Sequence, residues 1–100
     1  MRIGKVIGNL WATRKEEGLT GLKFLIVQLI NPCGSHSGDP IITADRIGSG
    51  VGDKVLVTSG SAARFVIPEV DLPIDSVVIG IIDSIDVESR WCHEQSFRDD

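Results

Sequence analysis

The chain has no tyrosine, only five aromatic residues, two cysteines and two histidines. Each scarcity removes a class of function. Trp11, Phe24, Phe65, Trp91 and Phe97 are spread over the chain and offer no clustered platform on which bases could stack. The longest nearly apolar stretch, Phe24 to Ile30, is far too short to span a bilayer, and Met1 to Lys5 lacks the apolar stretch of a signal peptide. No membrane partner and a cytoplasmic location are therefore expected. Two cysteines 59 positions apart in such a chain are expected to be free thiols, not a disulfide.

What is present is a single small soluble domain. With 42% hydrophobic and 24% charged residues in 100 positions, the chain can fold but has room for only one core. The formal net charge of −4 is uneven: residues 1–23 sum to +3, residues 24–82 to −3 and residues 83–100 to −4. A basic start and an acidic end suit head-to-tail contact between identical subunits, and equally suit two solvated surface segments.

Period-two patterns and turn signals divide the chain into strands. Strands are expected at Arg2–Ala12, Leu22–Ile30, Ile41–Ala44, Asp53–Thr58 and Ser76–Val87. In the first, Ile3, Ile7 and Trp11 alternate with Val6, Leu10 and Ala12, and Gly4 and Gly8 fall on one face. Thr13–Gly21 and Asn31–Pro40 read as loops, and Val66–Asp75, with two prolines, as an extended excursion. Ser61–Phe65 is the one segment expected to turn helically. The expected fold is all-β, a small five-stranded Greek-key, OB-like barrel with one short helical turn, because closure removes exposed strand edges. The barrel domain is assigned to 1–87 and a C-terminal tail of uncertain role to 88–100.

Enzymatic signatures are weak. The run Gly48-Ser49-Gly50-Val51-Gly52 superficially matches a phosphate loop, but the residues after it are β-rich and no Gly-Lys-Ser/Thr follows. Cys33, His36, Cys92 and His93 supply a zinc ligand count, yet adjacent Cys92 and His93 make poor chelate spacing. They read as thiols and surface histidines, so no metal or cofactor is expected. His36 and His93 have acidic neighbours but no nucleophile elbow.

Three ordered pieces carry a resemblance. The first is Met1-Arg2-Ile3-Gly4-Lys5-Val6-Ile7-Gly8, with Lys15 and Leu19-Thr20-Gly21-Leu22-Lys23-Phe24-Leu25-Ile26-Val27-Gln28. The second runs Ala44-Asp45-Arg46-Ile47-Gly48-Ser49-Gly50-Val51-Gly52-Asp53-Lys54-Val55-Leu56-Val57. The third is Ser59-Gly60-Ser61-Ala62-Ala63-Arg64, Pro73-Ile74-Asp75 and Gly80-Ile81-Ile82-Asp83. Together they resemble the bacterial microcompartment vertex family, of the EutN/CcmL type, over residues 1–87. In the second piece the family typically reads Gly-Ala-Gly, any residue, Gly-Glu, so Ser49 and Asp53 depart from it.

The resemblance implies a structural shell protein, not an enzyme: a homopentamer that caps a vertex among hexameric shell proteins. It further implies that Gly48, Ser49, Gly50, Val51, Gly52 and Asp53 line the opening on the five-fold axis. Asp45, Ser59, Gly60, Ser61, Arg64 and Asp83 would lie at subunit contacts, with Asp45, Asp75 or Asp83 as candidate partners for Arg64. The alternative from another class is an OB-like barrel that binds single-stranded nucleic acid. The acidic balance and scattered aromatics speak against that alternative.

Overall fold

The computed structural model describes residues 1–11, 23–60, 63 and 75–96, with backbone alone for 93–96. Five strands, β1 (Arg2–Leu10), β2 (Lys23–Ile30), β3 (Ile41–Asp45), β4 (Lys54–Ser59) and β5 (Ser76–Ile81), close into a barrel in the order β1-β2-β3-β5-β4. All neighbours are antiparallel except β3 and β5. One helix, α1 (Ser89–Ser96), follows. The loop expected at Thr13–Gly21 lies outside the described residues. So do the helical turn at Ser61–Phe65 and the proline-bearing excursion, apart from Ala63 and Asp75.

Alternation explains the interior. Val6, Leu25, Val27, Val55, Val57 and Val78 meet inside the barrel with essentially no solvent exposure, and Ile41 packs against them. β-branched valine suits this packing on a pleated wall. Neighbours in sequence point the other way. Phe24, Ala44 and Val77, next to the core residues Leu25, Thr43 and Val78, meet Ala63 in a second cluster on the outside of the wall.

Four details differ from the sequence expectations. A bulge between Val6 and Gly8 shifts the β1–β2 register. Gly4 therefore faces the interior beside Val27, whereas Gly8 faces Ile26 on the outer surface, so the two glycines do not share a face. β5 stops at Ile81, not Val87, because its partner β4 begins at Lys54. A single further bond, Ile82 N–H to the Lys54 carbonyl at 2.8 Å, ends the pairing. Helix α1 occupies a segment in which no helix is expected. Finally, Cys33 and Cys92 are joined to each other in a disulfide, replacing the expected free thiols. The chain brings together two points 59 residues apart, which spacing in sequence does not reveal.

Candidate functional site

Among the described residues, the β3–β4 connection is the most heavily organised loop. Asp45, the last residue of β3, is only 3% exposed. Its Oδ1 accepts from Ile47 N–H at 3.1 Å, and its Oδ2 from Gly48 N–H at 3.2 Å and Ser49 N–H at 2.9 Å. A carboxylate closing a turn through several backbone donors makes charge-assisted bonds, stronger than neutral ones. Gly48 and Gly52 have φ of +99° and +97°, a region that side chains other than glycine's rarely adopt. Asp53 closes the second half: its Oδ2 accepts from Gly50 N–H at 2.9 Å, and its own N–H donates to the Gly50 carbonyl at 3.0 Å.

Two attachments fix this loop to the barrel. Gly52 N–H donates to the Val6 carbonyl and Val6 N–H to the Asp53 carbonyl, each at 2.9 Å. From β2, Lys23 Nζ donates to the Ser49 carbonyl at 2.6 Å. Lys23 was part of the family-like opening but carried no expected role. The signal available is its place in the register, where it is the partner of Asp45.

The loop presents Gly48, Val51 and Gly52 to solvent, with Gly50 and Asp53 half-buried. Ser49 is the exception among the residues expected to line an opening. Its side chain is wholly buried within its own subunit, so only its backbone can contribute to a lining. Among the described residues its hydroxyl has no hydrogen-bond partner.

Of the residues expected at subunit contacts, Asp45, Ser59, Gly60 and Asp83 are described. Asp45 lies at the loop, its carboxylate engaged inside its own chain. Exposed Asp83 follows Ile82, which bonds to Lys54 at the start of β4. Ser59 and Gly60 lie at the other end of β4. The Ser59 and Ser76 hydroxyls are 3.3 Å apart, and Gly60 N–H donates to the Asp75 carbonyl at 2.8 Å. Ser61 and Arg64 lie outside the described residues. Among the described residues no group of acidic, histidine and cysteine side chains is arranged to hold a metal ion, and no helix is long and apolar enough to cross a membrane.

A rigid, glycine-rich rim on a small closed barrel is a feature to compare with known proteins. The family model described as ethanolamine utilisation protein EutN/carboxysome matches residues 1–83. The chain belongs to this family. It is 41% identical over 95 residues to the carboxysome shell vertex protein CcmL of Synechococcus elongatus, covering 95% of this chain and 96% of that one. It is 38% identical over 85 residues to the microcompartment shell vertex protein EutN of Escherichia coli, covering 85% and 90%. The solved structure of Gloeobacter violaceus CcmL superposes with a TM-score of 0.80 at 42% identity, over 88% of this chain and 91% of that one. The GrpN pentameric microcompartment shell protein of Rhodospirillum rubrum gives 0.78 at 35% identity, over 88% and 100%.

Proposed function

We propose that this chain is the vertex subunit of a bacterial microcompartment shell, a structural protein that closes into a ring of five. The observation that carries this reading is the closed barrel shared, at about 40% identity over most of the chain, with named shell vertex proteins. The protein is a shell component and not an enzyme, and its place is the shell of a microcompartment in the cytoplasm. Its further partners are the hexameric proteins that tile the facets around each vertex.

Within the ring, the Gly48–Gly52 loop faces the five-fold axis. Gly50 supports this placement. Its φ is not left-handed, and a Cβ built on it meets nothing within 4 Å among the described residues. No described part of the subunit requires glycine there, whereas five converging loops leave little room for side chains. Asp53 beside it contributes a carboxylate from each copy. Ring closure of this kind is head-to-tail, one patch meeting a different patch on the next copy. Arg64 pins a carboxylate or carbonyls of the neighbouring subunit.

Native mass measurement tests the assembly. Five subunits of 10.8 kDa give 54 kDa, and a stable species of that mass is expected over a range of concentrations. Arg64→Glu is expected to shift the population to smaller, still β-rich species. A persistent 10.8 kDa wild-type monomer would refute the ring, and an unaltered ring in the variant would remove Arg64 from the contact.

A further inference from the structure

We propose that Cys33 and Cys92 form a reversible oxidation site, a dithiol whose closure clasps the C-terminal helix α1 to the loop after β2. The chain has only these two cysteines, so the pairing is unambiguous, and both are half-buried, within reach of small thiol reagents. Cys33 sits on a stiff platform. Asn31 Oδ1 accepts from Cys33 N–H at 2.9 Å and Ser35 N–H at 3.1 Å. Asn31 N–H donates to the Ser35 carbonyl, and Gly34 N–H to the Asn31 carbonyl, both at 2.9 Å. This platform is joined to the barrel by Ser37 N–H to the Leu29 carbonyl at 2.8 Å and by Gln28 Nε2 to the Gly38 carbonyl at 3.0 Å.

Cys92 lies in a different setting. It is on an eight-residue helix that no strand packs along extensively among the described residues. Its backbone bonds are local, with Trp91 and Cys92 N–H both directed at the Glu88 carbonyl. Neither barrel cluster contains a described residue of α1. The bond therefore joins a loop fixed to the barrel to a helix that, among the described residues, belongs to neither barrel cluster. Opening it leaves the barrel core untouched and releases the helix.

Cys33 lies beyond the C-terminal residue of β2, whereas Lys23, which holds the Ser49 carbonyl, is its N-terminal residue. The eight residues of β2, about 23 Å of strand, separate the clasp from that tie of the rim, while the second tie, to Val6, meets β2 at Val27. Reversibility rests on the shell reading in one respect, since that reading places the chain in the cytoplasm, where disulfides are characteristically transient.

Closure is a thiol–disulfide exchange with a small disulfide such as oxidised glutathione. The thiolate of one cysteine attacks a sulfur of the oxidant and expels one thiol. The second cysteine then attacks the mixed disulfide and expels the other. The protein loses two protons and two electrons, and the oxidant is reduced to two thiols. A dithiol reductant reverses the sequence.

The test is to equilibrate the full chain in glutathione buffers of stepped ratio, trap free thiols by alkylation, and record intact mass and amide exchange. Both thiols are expected to disappear together, with the mass falling by two hydrogens and no glutathione retained. Exchange in α1 should be at least about tenfold faster in the reduced chain, with β1–β5 unchanged. Cys33→Ser should show the fast exchange under both conditions while its strands stay protected. Separate glutathione adducts on the two cysteines, or α1 exchange indifferent to redox state, would overturn the clasp. The two proposals fail separately. A 54 kDa species without the bridge removes only the clasp, and a bridged chain that stays at 10.8 kDa removes only the ring.

Discussion

Alanine at Gly4 is expected to destabilise the barrel, whereas alanine at Gly8, four residues along the same strand, is expected to be tolerated. A Cβ on Gly4 would overlap Val27 Cγ1, with the Gln28 carbonyl oxygen at 3.4 Å and Leu29 Cδ2 at 3.6 Å behind it. Val27 is wholly buried among the core valines, and a β-branched side chain has little rotamer freedom with which to retreat. Overpacking of this kind costs about 1–3 kcal/mol. The lower entropy of the unfolded alanine chain returns about 0.4–1 kcal/mol. Because Val27 cannot retreat, the upper half of that cost applies, and the net loss is about 1–2.5 kcal/mol, or roughly 4–20 °C in Tm for a domain of this size. At Gly8 the added carbon meets nothing nearer than Ile26 Cδ1 at 3.4 Å, the movable end of a side chain on the outer surface. That variant should melt within about 3 °C of wild type. Circular dichroism melts at one fixed protein concentration are the assay, since ring formation makes Tm concentration-dependent. Adding Val27→Ala to Gly4→Ala should recover part of the loss expected from summing the two single changes. A Gly4→Ala protein as stable as wild type would refute both the inward placement of Gly4 and the bulge that separates it from Gly8.

Three further outcomes follow from the rim. Ser49→Ala deletes a fully buried hydroxyl that has no partner among the described residues, and should raise stability by about 1 kcal/mol in urea unfolding. Asp45→Asn sets an amide donor against one of three backbone donors and should lose about 1.5–3 kcal/mol, with faster amide exchange at Gly48 and Ser49 as its local signature. Gly50→Trp should leave the subunit's strands intact, because nothing among the described residues lies within 4 Å of the added Cβ, while native mass spectrometry shows loss of the 54 kDa species.

The strands were readable because hydrophobic alternation and turn residues mark them locally. All five expected segments overlap an observed strand, and their closure follows from the need to hide edges. What the sequence concealed depends on partners. The bulge after Val6 is invisible because the residues flanking it include a glycine, which shows no preference for either face. β5 reads as continuing through Ile85 and Val87, but a strand lasts only as long as its neighbour, and β4 supplies no backbone beyond Lys54. The cysteine pair was obscured by a rule about compartments that says nothing of two particular sulfurs. In the rim, the acidic residue read as a contact for a neighbour is a buried organiser of its own loop, and the serine read as lining is turned inward. A polar residue in a loop looks the same in sequence whether it faces water or closes a turn.

The glycines separate what the fold needs from what the assembly needs. Gly4 is required by a neighbouring side chain, and Gly48 and Gly52 by their backbone angles, so each has a sufficient cause inside one subunit. Gly50 has neither cause among the described residues; Gly80 in β5 shares that, but Gly50 sits in a loop held by Asp45, Asp53, Lys23 and Val6. Loops that bind varied partners gain from adaptability, whereas this one is held in a single shape. A fixed shape suits the proposed place of this loop at the five-fold axis, because an error in one loop is repeated in every subunit around a closed ring. Rigidity without chemistry, on a chain related to shell vertex proteins, fits a residue set selected for geometry and not for turnover.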